Sequence, residues 1–261
     1  MRVPFQVNSN GRDLLGILHI ANKQQDTPIV IIMCYGLNGN RVEQHRMSVK
    51  LGELCEENSV NFVRFDYANV GISEGEFFFS TLSERIKNVV DIYRFVSGCF
   101  NRRLAVFLIG FSDGAKIAIQ AKEQIDEMKG IMCWNPIINI PHPMDSNSEA
   151  AKEKGKLRIH KKYKKPYKQL FGVCLNTIIM KEIGCDNSVD KLDDNVHKLF
   201  VFGENDRFTK GIRAYVENMN FHNNRIVIIS NAGHLFGSTV CEQQVNQITL
   251  KWIQECANDN W

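Results

Sequence analysis

The stretch LAVFLIGFSDGAKIAI, Leu104 to Ile119, decides how this chain folds. Its first part, LAVFLIG at 104–110, is an unbroken apolar run. A strand with one wet face would alternate apolar and polar residues, so this run reads as a strand buried on both faces. The pattern G-x-S-x-G follows at once in Gly110-Phe111-Ser112-Asp113-Gly114, and Gly114, Ala115 and Ala118 are small enough for a helix to start close to the strand. A strand that turns directly into a helix forces the apical serine into a strained backbone conformation, and the flanking glycines remove side chains that would clash there. Ser112 is therefore a candidate nucleophile. The same letters recur in Gly71-Ile72-Ser73-Glu74-Gly75, but no buried strand leads into them and no helix follows until Thr81. Ser73 reads as a loop residue.

Working outward, similar apolar runs appear as IVIIMC at 29–34, VNFVRFD at 60–66, GIMCW at 130–134, KLFVFG at 198–203 and RIVIIS at 225–230. Helical spacing lies between them, near 42–57, 81–97, 114–127, 209–220 and 239–256. The clearest is 81–97, where Thr81 and Glu84 form a capping box ahead of Leu82, Ile86, Val89, Tyr93 and Val96. Asn10-Gly11, between VPFQV and LLGILHI, marks an antiparallel hairpin. The whole predicts an α/β fold, a mostly parallel eight-stranded sheet flanked by helices.

More than sixty residues separate Trp134 from Lys198, too many for an ordinary loop. They predict an inserted cap over 136–196, with a short helix from about Tyr167 to Ile183, dividing the core into 1–135 and 197–261. His142 in this segment reads as an ordinary loop residue.

A serine hydroxyl needs a base, and the base needs an orienting carboxylate. Both follow later strands: Glu204-Asn205-Asp206 after KLFVFG, and Asn231-Ala232-Gly233-His234 after RIVIIS. Each lies just past the carboxyl end of its strand, where open α/β sheets place their sites. Asp206 is the expected acid, with Glu204 as its one rival; Asp190, Asp193 and Asp194 precede the strand, on its wrong end.

These features resemble the α/β-hydrolases, and within them the capped carboxylesterases that include cinnamoyl esterases, monoacylglycerol lipases and serine aminopeptidase-like hydrolases. The resemblance rests on FQVNSNGRDLLGILH, VRFDYANVGISEGEF, GFSDG, GENDRF and NAGHLF, spanning residues 5 to 236 apart from the cap. It implies Ser112 as nucleophile, His234 as general base and then acid, and Asp206 as the residue that orients the imidazole. It also implies an oxyanion hole from the backbone N–H groups of Leu37 and Asp113, with Tyr35 and Gly36 at the substrate. Relatives usually carry histidine where this chain has Tyr35.

Composition narrows the function. The longest apolar run, Ile29 to Tyr35, is far below the about 20 residues of a membrane span, and the first residues carry no signal-peptide core, so a cytoplasmic location is expected. The eight cysteines are scattered with no C-x-x-C pair, which predicts neither a disulfide framework nor a metal site, and no cofactor is expected. Charge is uneven: nine Lys or Arg and one acid fall between Lys152 and Lys168, in a chain whose net charge is only +3. Such a run is either a solvated lid or an attractor for an anionic partner, such as an acyl-CoA, an acidic acyl carrier protein or an anionic headgroup. Nucleic acid is not expected, since no binding motif accompanies the patch. The expected activity is hydrolysis of a carboxylic ester. Two alternatives stay open: hydrolysis or acyl transfer on a carrier or CoA thioester, and a catalytically silent fold that binds a small ligand. Phe77-Phe78-Phe79 either packs on the cap or lines the acyl site.

Overall fold

The computed structural model describes residues 1–138, 157–170, 172–184, 188–219 and 221–258. The chain opens with an antiparallel hairpin, β1 (Arg2–Ser9) and β2 (Arg12–His19), turning at Asn10 and Gly11, both at positive φ. There follow β3 (Ile29–Cys34), α1 (Met47–Glu57), β4 (Val60–Phe65), α2 (Leu82–Cys99), β5 (Ala105–Phe111), α3 (Gly114–Ala121) and β6 (Met128–Trp134). After the described part of the insertion come β10 (His197–Gly203), α5 (Lys210–Glu217), β11 (Asn224–Ile229) and α6 (Thr239–Asn258). The sheet runs β1-β2-β4-β3-β5-β6-β10-β11, antiparallel at its first two pairings and parallel thereafter. This is the expected α/β architecture.

Strand periodicity explains why the apolar runs are continuous. In β3, Val30, Ile32 and Cys34 enter one core while Ile29, Ile31 and Met33 enter the other. In β5, Val106 and Leu108 join the first core; Phe107, Ile109 and Phe111 join the second. Successive side chains point to opposite faces, so both faces must be apolar. Each such side chain, fully buried, contributes about 1.5–3 kcal/mol.

Three local expectations are corrected. The helix read from residue 42 begins at Met47, because Glu43, His45 and Arg46 all hold positive φ, which no helix can contain. The Thr81 cap forms only by half: Thr81 Oγ1 accepts from Glu84 N–H at 3.1 Å, but the Glu84 carboxylate goes to Arg12 and Asn69 instead of reaching back. The helix expected over 167–183 forms only in its second half, and the first half is strand. There β7 (Arg158–Ile159), β8 (Pro166–Leu170) and β9 (Val173–Asn176) make a small antiparallel sheet, and only α4 (Thr177–Gly184) is helical. Gly172, at φ +83, lets the chain reverse between β8 and β9, so pairing of Leu170 with Val173 overrides the helical spacing. His142 lies outside the described residues.

This small sheet and α4 are fastened to the core. Asn176 Nδ2 donates to the carbonyls of Phe78 and Ser80 at 2.7 and 2.9 Å. Glu182 of α4 accepts from the Leu82 N–H at 2.6 Å, satisfying an end group of α2. Phe78 stacks on Tyr163 and meets His160 at a tilt, and Phe79 meets Tyr163 edge-on. At least Phe78 and Phe79 thus pack on the insertion.

Candidate active site

The turn after β5 takes the strained form that its sequence demands. Ser112 sits at φ 55, a conformation costing about 1–3 kcal/mol for a residue with a side chain. Surrounding bonds hold it: Ser112 N–H donates to Trp134 O at 2.9 Å, and its carbonyl accepts from Ala115 and Ile137 N–H at 3.1 Å each. The glycines are needed for space. A Cβ on Gly110 would lie 2.4 Å from Ala115 Cα, and one on Gly114 would lie 2.1 Å from the Cys34 carbonyl oxygen.

The structure brings the three expected side chains together. Ser112 Oγ is 2.8 Å from His234 Nε2, and His234 Nδ1 is 2.7 Å from Asp206 Oδ2. Asp206 is buried; its Oδ1 accepts from Phe208 N–H at 2.9 Å and its Oδ2 from the Thr209 hydroxyl at 2.8 Å. The rival Glu204 accepts instead from Asn231 N–H at 2.8 Å and stays exposed. The His234 ring stacks on Phe111 and meets Phe208 edge-on, at centroid distances of 5.9 and 5.1 Å. Ser73 takes a structural part. Its hydroxyl donates to Asp66 O at 2.6 Å and accepts from Leu15 N–H at 2.9 Å, tying the loop after β4 to β2.

The loop after β3 lies against the serine. A Cβ on Gly36 would be 3.1 Å from Ser112 Cβ and 3.5 Å from Ser112 Oγ, so glycine lets this backbone come close. Leu37 follows and packs with Leu175, Ile179 and Ile183 of the insertion. Asp113 stands at the start of α3, its carboxylate 3.5 Å from the buried Lys116 ammonium.

Tyr35 departs from expectation. Rather than meeting substrate, its side chain is wholly buried: its hydroxyl accepts from Tyr67 N–H at 2.7 Å and its ring lies 4.3 Å from that of Tyr67. A phenol is large and apolar enough to fill the first core, with one polar end to satisfy. Burial raises the pKa of both tyrosines well above the usual phenol value and pushes the neighbouring Cys34 thiol up to about 12. None of these three supplies an ionised group at neutral pH.

Two residues escaped the sequence reading. Asn135, buried at φ 38 just past β6, receives Gly203 N–H at 2.7 Å and donates to the carbonyls of Gly233 and His234 at 3.2 and 2.8 Å. One amide therefore joins the loops that carry the acid and the imidazole. Its signal was position, since Asn135 ends a strand at the same sheet edge as Asp206 and His234. Arg85 is the other, a buried arginine on α2 whose guanidinium bonds the Gly36 and Leu37 carbonyls. Its signal was a charge three residues after Leu82 and four before Val89, on the core-facing stripe.

No protein-family model and no curated protein sequence matches the chain. Solved structures do. Est1E of Butyrivibrio proteoclasticus, in a structure with ferulic acid bound, aligns over 98% of this chain and 100% of its own, at 17% identity and a TM-score of 0.79. Alpha/beta hydrolase domain-containing protein 10 of mouse aligns over 97% and 99%, at 16% identity and a TM-score of 0.71. A dienelactone hydrolase of Anabaena variabilis aligns over 98% and 97%, at 15% identity and a TM-score of 0.64. The chain has the α/β-hydrolase fold.

Proposed function

We propose that this protein is a serine hydrolase that cleaves a carboxylic ester through an acyl-enzyme on Ser112. The observation that carries the reading is the unbroken relay from Ser112 Oγ through the imidazole to the buried Asp206, at 2.8 and 2.7 Å. Ser112 Oγ attacks the acyl carbon as His234 Nε2 takes its proton. The carbonyl π electrons move onto oxygen, and the Leu37 and Asp113 N–H groups stabilise that oxyanion; one such donor is worth about 3 kcal/mol. The tetrahedral intermediate collapses, the ester C–O bond breaks, and the departing alkoxide takes the proton from His234. Water repeats the sequence on the acyl-enzyme, releasing the acid and restoring the serine. The described part of the insertion, which packs on Leu37 through Leu175, Ile179 and Ile183, serves as a cap beside the serine.

A thioester substrate is favoured by one feature of the insertion. The β7–β8 hairpin exposes Arg158, Lys161, Lys164 and Lys165, and its aromatic packing on Phe78 and Phe79 holds that charge near the core. An anionic carrier or CoA would be drawn there. A panel of p-nitrophenyl esters and acyl-CoA thioesters, read at low and high salt, tests both readings. Fluorophosphonate-sensitive release of nitrophenolate with little salt dependence is expected of an esterase. Thioester turnover that falls steeply with salt, with esters ignored, would move the substrate to the carrier class. Turnover that survives fluorophosphonate treatment would overturn the serine mechanism.

A further inference from the structure

Arg85 is an unusual residue to bury. Its side chain lies inside the core, where the Asp113 and Glu84 carboxylates favour its charge by Coulombic attraction. Burial lowers its pKa, yet a guanidinium stays protonated in proteins. Its direct contacts include dipoles and rings: Nε donates to Ser80 Oγ at 2.9 Å, and the Tyr67 and Phe77 rings lie 5.2 and 5.6 Å from its central carbon. Its two terminal nitrogens are directed at one short piece of backbone. Nη1 donates to Gly36 O at 3.4 Å and Leu37 O at 3.2 Å, and Nη2 donates to Leu37 O at 3.2 Å.

The identity of those carbonyls matters. The Gly36 carbonyl belongs to the same peptide unit as the Leu37 N–H, the group assigned to the oxyanion. A cation hydrogen-bonded to the oxygen of an amide draws electron density toward that oxygen and makes the N–H at the other end a better donor. The second fork, on Leu37 O, fixes the plane of the next peptide and so the direction of the first. In a buried setting the guanidinium's charge is also weakly screened.

We propose that Arg85 is the positioning residue of the oxyanion hole: from behind, it aims and polarises the Gly36–Leu37 peptide whose N–H receives the developing negative charge. The inference rests on the serine-hydrolase reading and adds a group that does not touch substrate. It separates Arg85 from an ordinary packing residue, because packing alone would not change the electron demand at the acyl carbonyl.

The test compares wild type with Arg85→Gln and Arg85→Lys, using a p-nitrophenyl ester for kinetics and the carbonyl stretch of a trapped acyl-enzyme for polarisation. For Arg85→Gln, kcat is expected to fall about 10- to 100-fold with KM within about twofold, since the Leu37 donor is weakened rather than deleted. The acyl carbonyl stretch should move to higher wavenumber. Arg85→Lys keeps the charge but loses the fork, so it should fall between the two in both readouts. An unshifted stretch in both variants, or a loss confined to KM, overturns the proposal whatever happens to thermal stability. If Arg85→Gln does not fold, Arg85→Lys decides alone, and a lysine variant indistinguishable from wild type counts against it. Wild type that forms no acyl-enzyme would instead remove the hydrolase reading, and this inference with it.

Discussion

Replacing His234 by alanine is expected to lower kcat for an ester by about 10⁶-fold while leaving KM nearly unchanged, the cost typical of losing the general base of such a relay. Among the described residues, the base within hydrogen-bond reach of the Ser112 hydroxyl is His234 Nε2, at 2.8 Å. Without it, the serine must lose its proton to water, and the departing alkoxide finds no acid. The imidazole's part is to move a proton in the transition state, so the loss should fall on kcat. The variant should remain folded, because what it removes is a partly exposed ring resting on Phe111 and Phe208 rather than part of the core. Steady-state kinetics beside a thermal melt checks this. A loss below about tenfold in a folded variant would mean that His234 is not the base.

The second large effect is expected from Asp206→Asn, about 10⁴-fold in kcat. Asp206 Oδ2 accepts the Nδ1 proton of His234 and the Thr209 hydroxyl, while Oδ1 accepts Phe208 N–H. An asparagine can keep its oxygen on Phe208 N–H, which turns its NH₂ toward Nδ1. The imidazole must then accept at Nδ1 and carry its proton on Nε2, where it can no longer take one from Ser112. The fold survives and the tautomer is wrong. Glu204→Gln serves as the contrast, since its carboxylate bonds the backbone of Asn231 and lies outside the relay; its kcat should stay within about threefold. Equal losses in the two variants would contradict the assignment of Asp206.

The parallel sheet was legible because strands buried on both faces cannot hide their apolar runs. The elbow was legible because steric demand writes glycines around the serine. The inserted segment is hard to read for a physical reason: over 166–176, Pro166, Tyr167, Leu170, Val173 and Cys174 fit either period, and only the reversal at Gly172 selects a hairpin. Tyr35 was misplaced because its position in the chain marks the loop but not the direction of its side chain. Asn135 and Arg85 were missed because each acts on backbone groups far away in sequence. Arg85 meets carbonyls 49 and 48 residues earlier, and Asn135 bonds groups 68, 98 and 99 residues later. Backbone partners leave no residue-type signature, whereas the relay is built from side chains whose identities are the signal.

Mass spectrometry of the protein after reaction with a fluorophosphonate, followed by peptide mapping, addresses the nucleophile itself. One adduct per chain is expected, on the peptide bearing Ser112, with none in Ser112→Ala and much slower formation in His234→Ala. An adduct on any other residue, or a protein that still hydrolyses esters while Ser112 is unmodified, would contradict it.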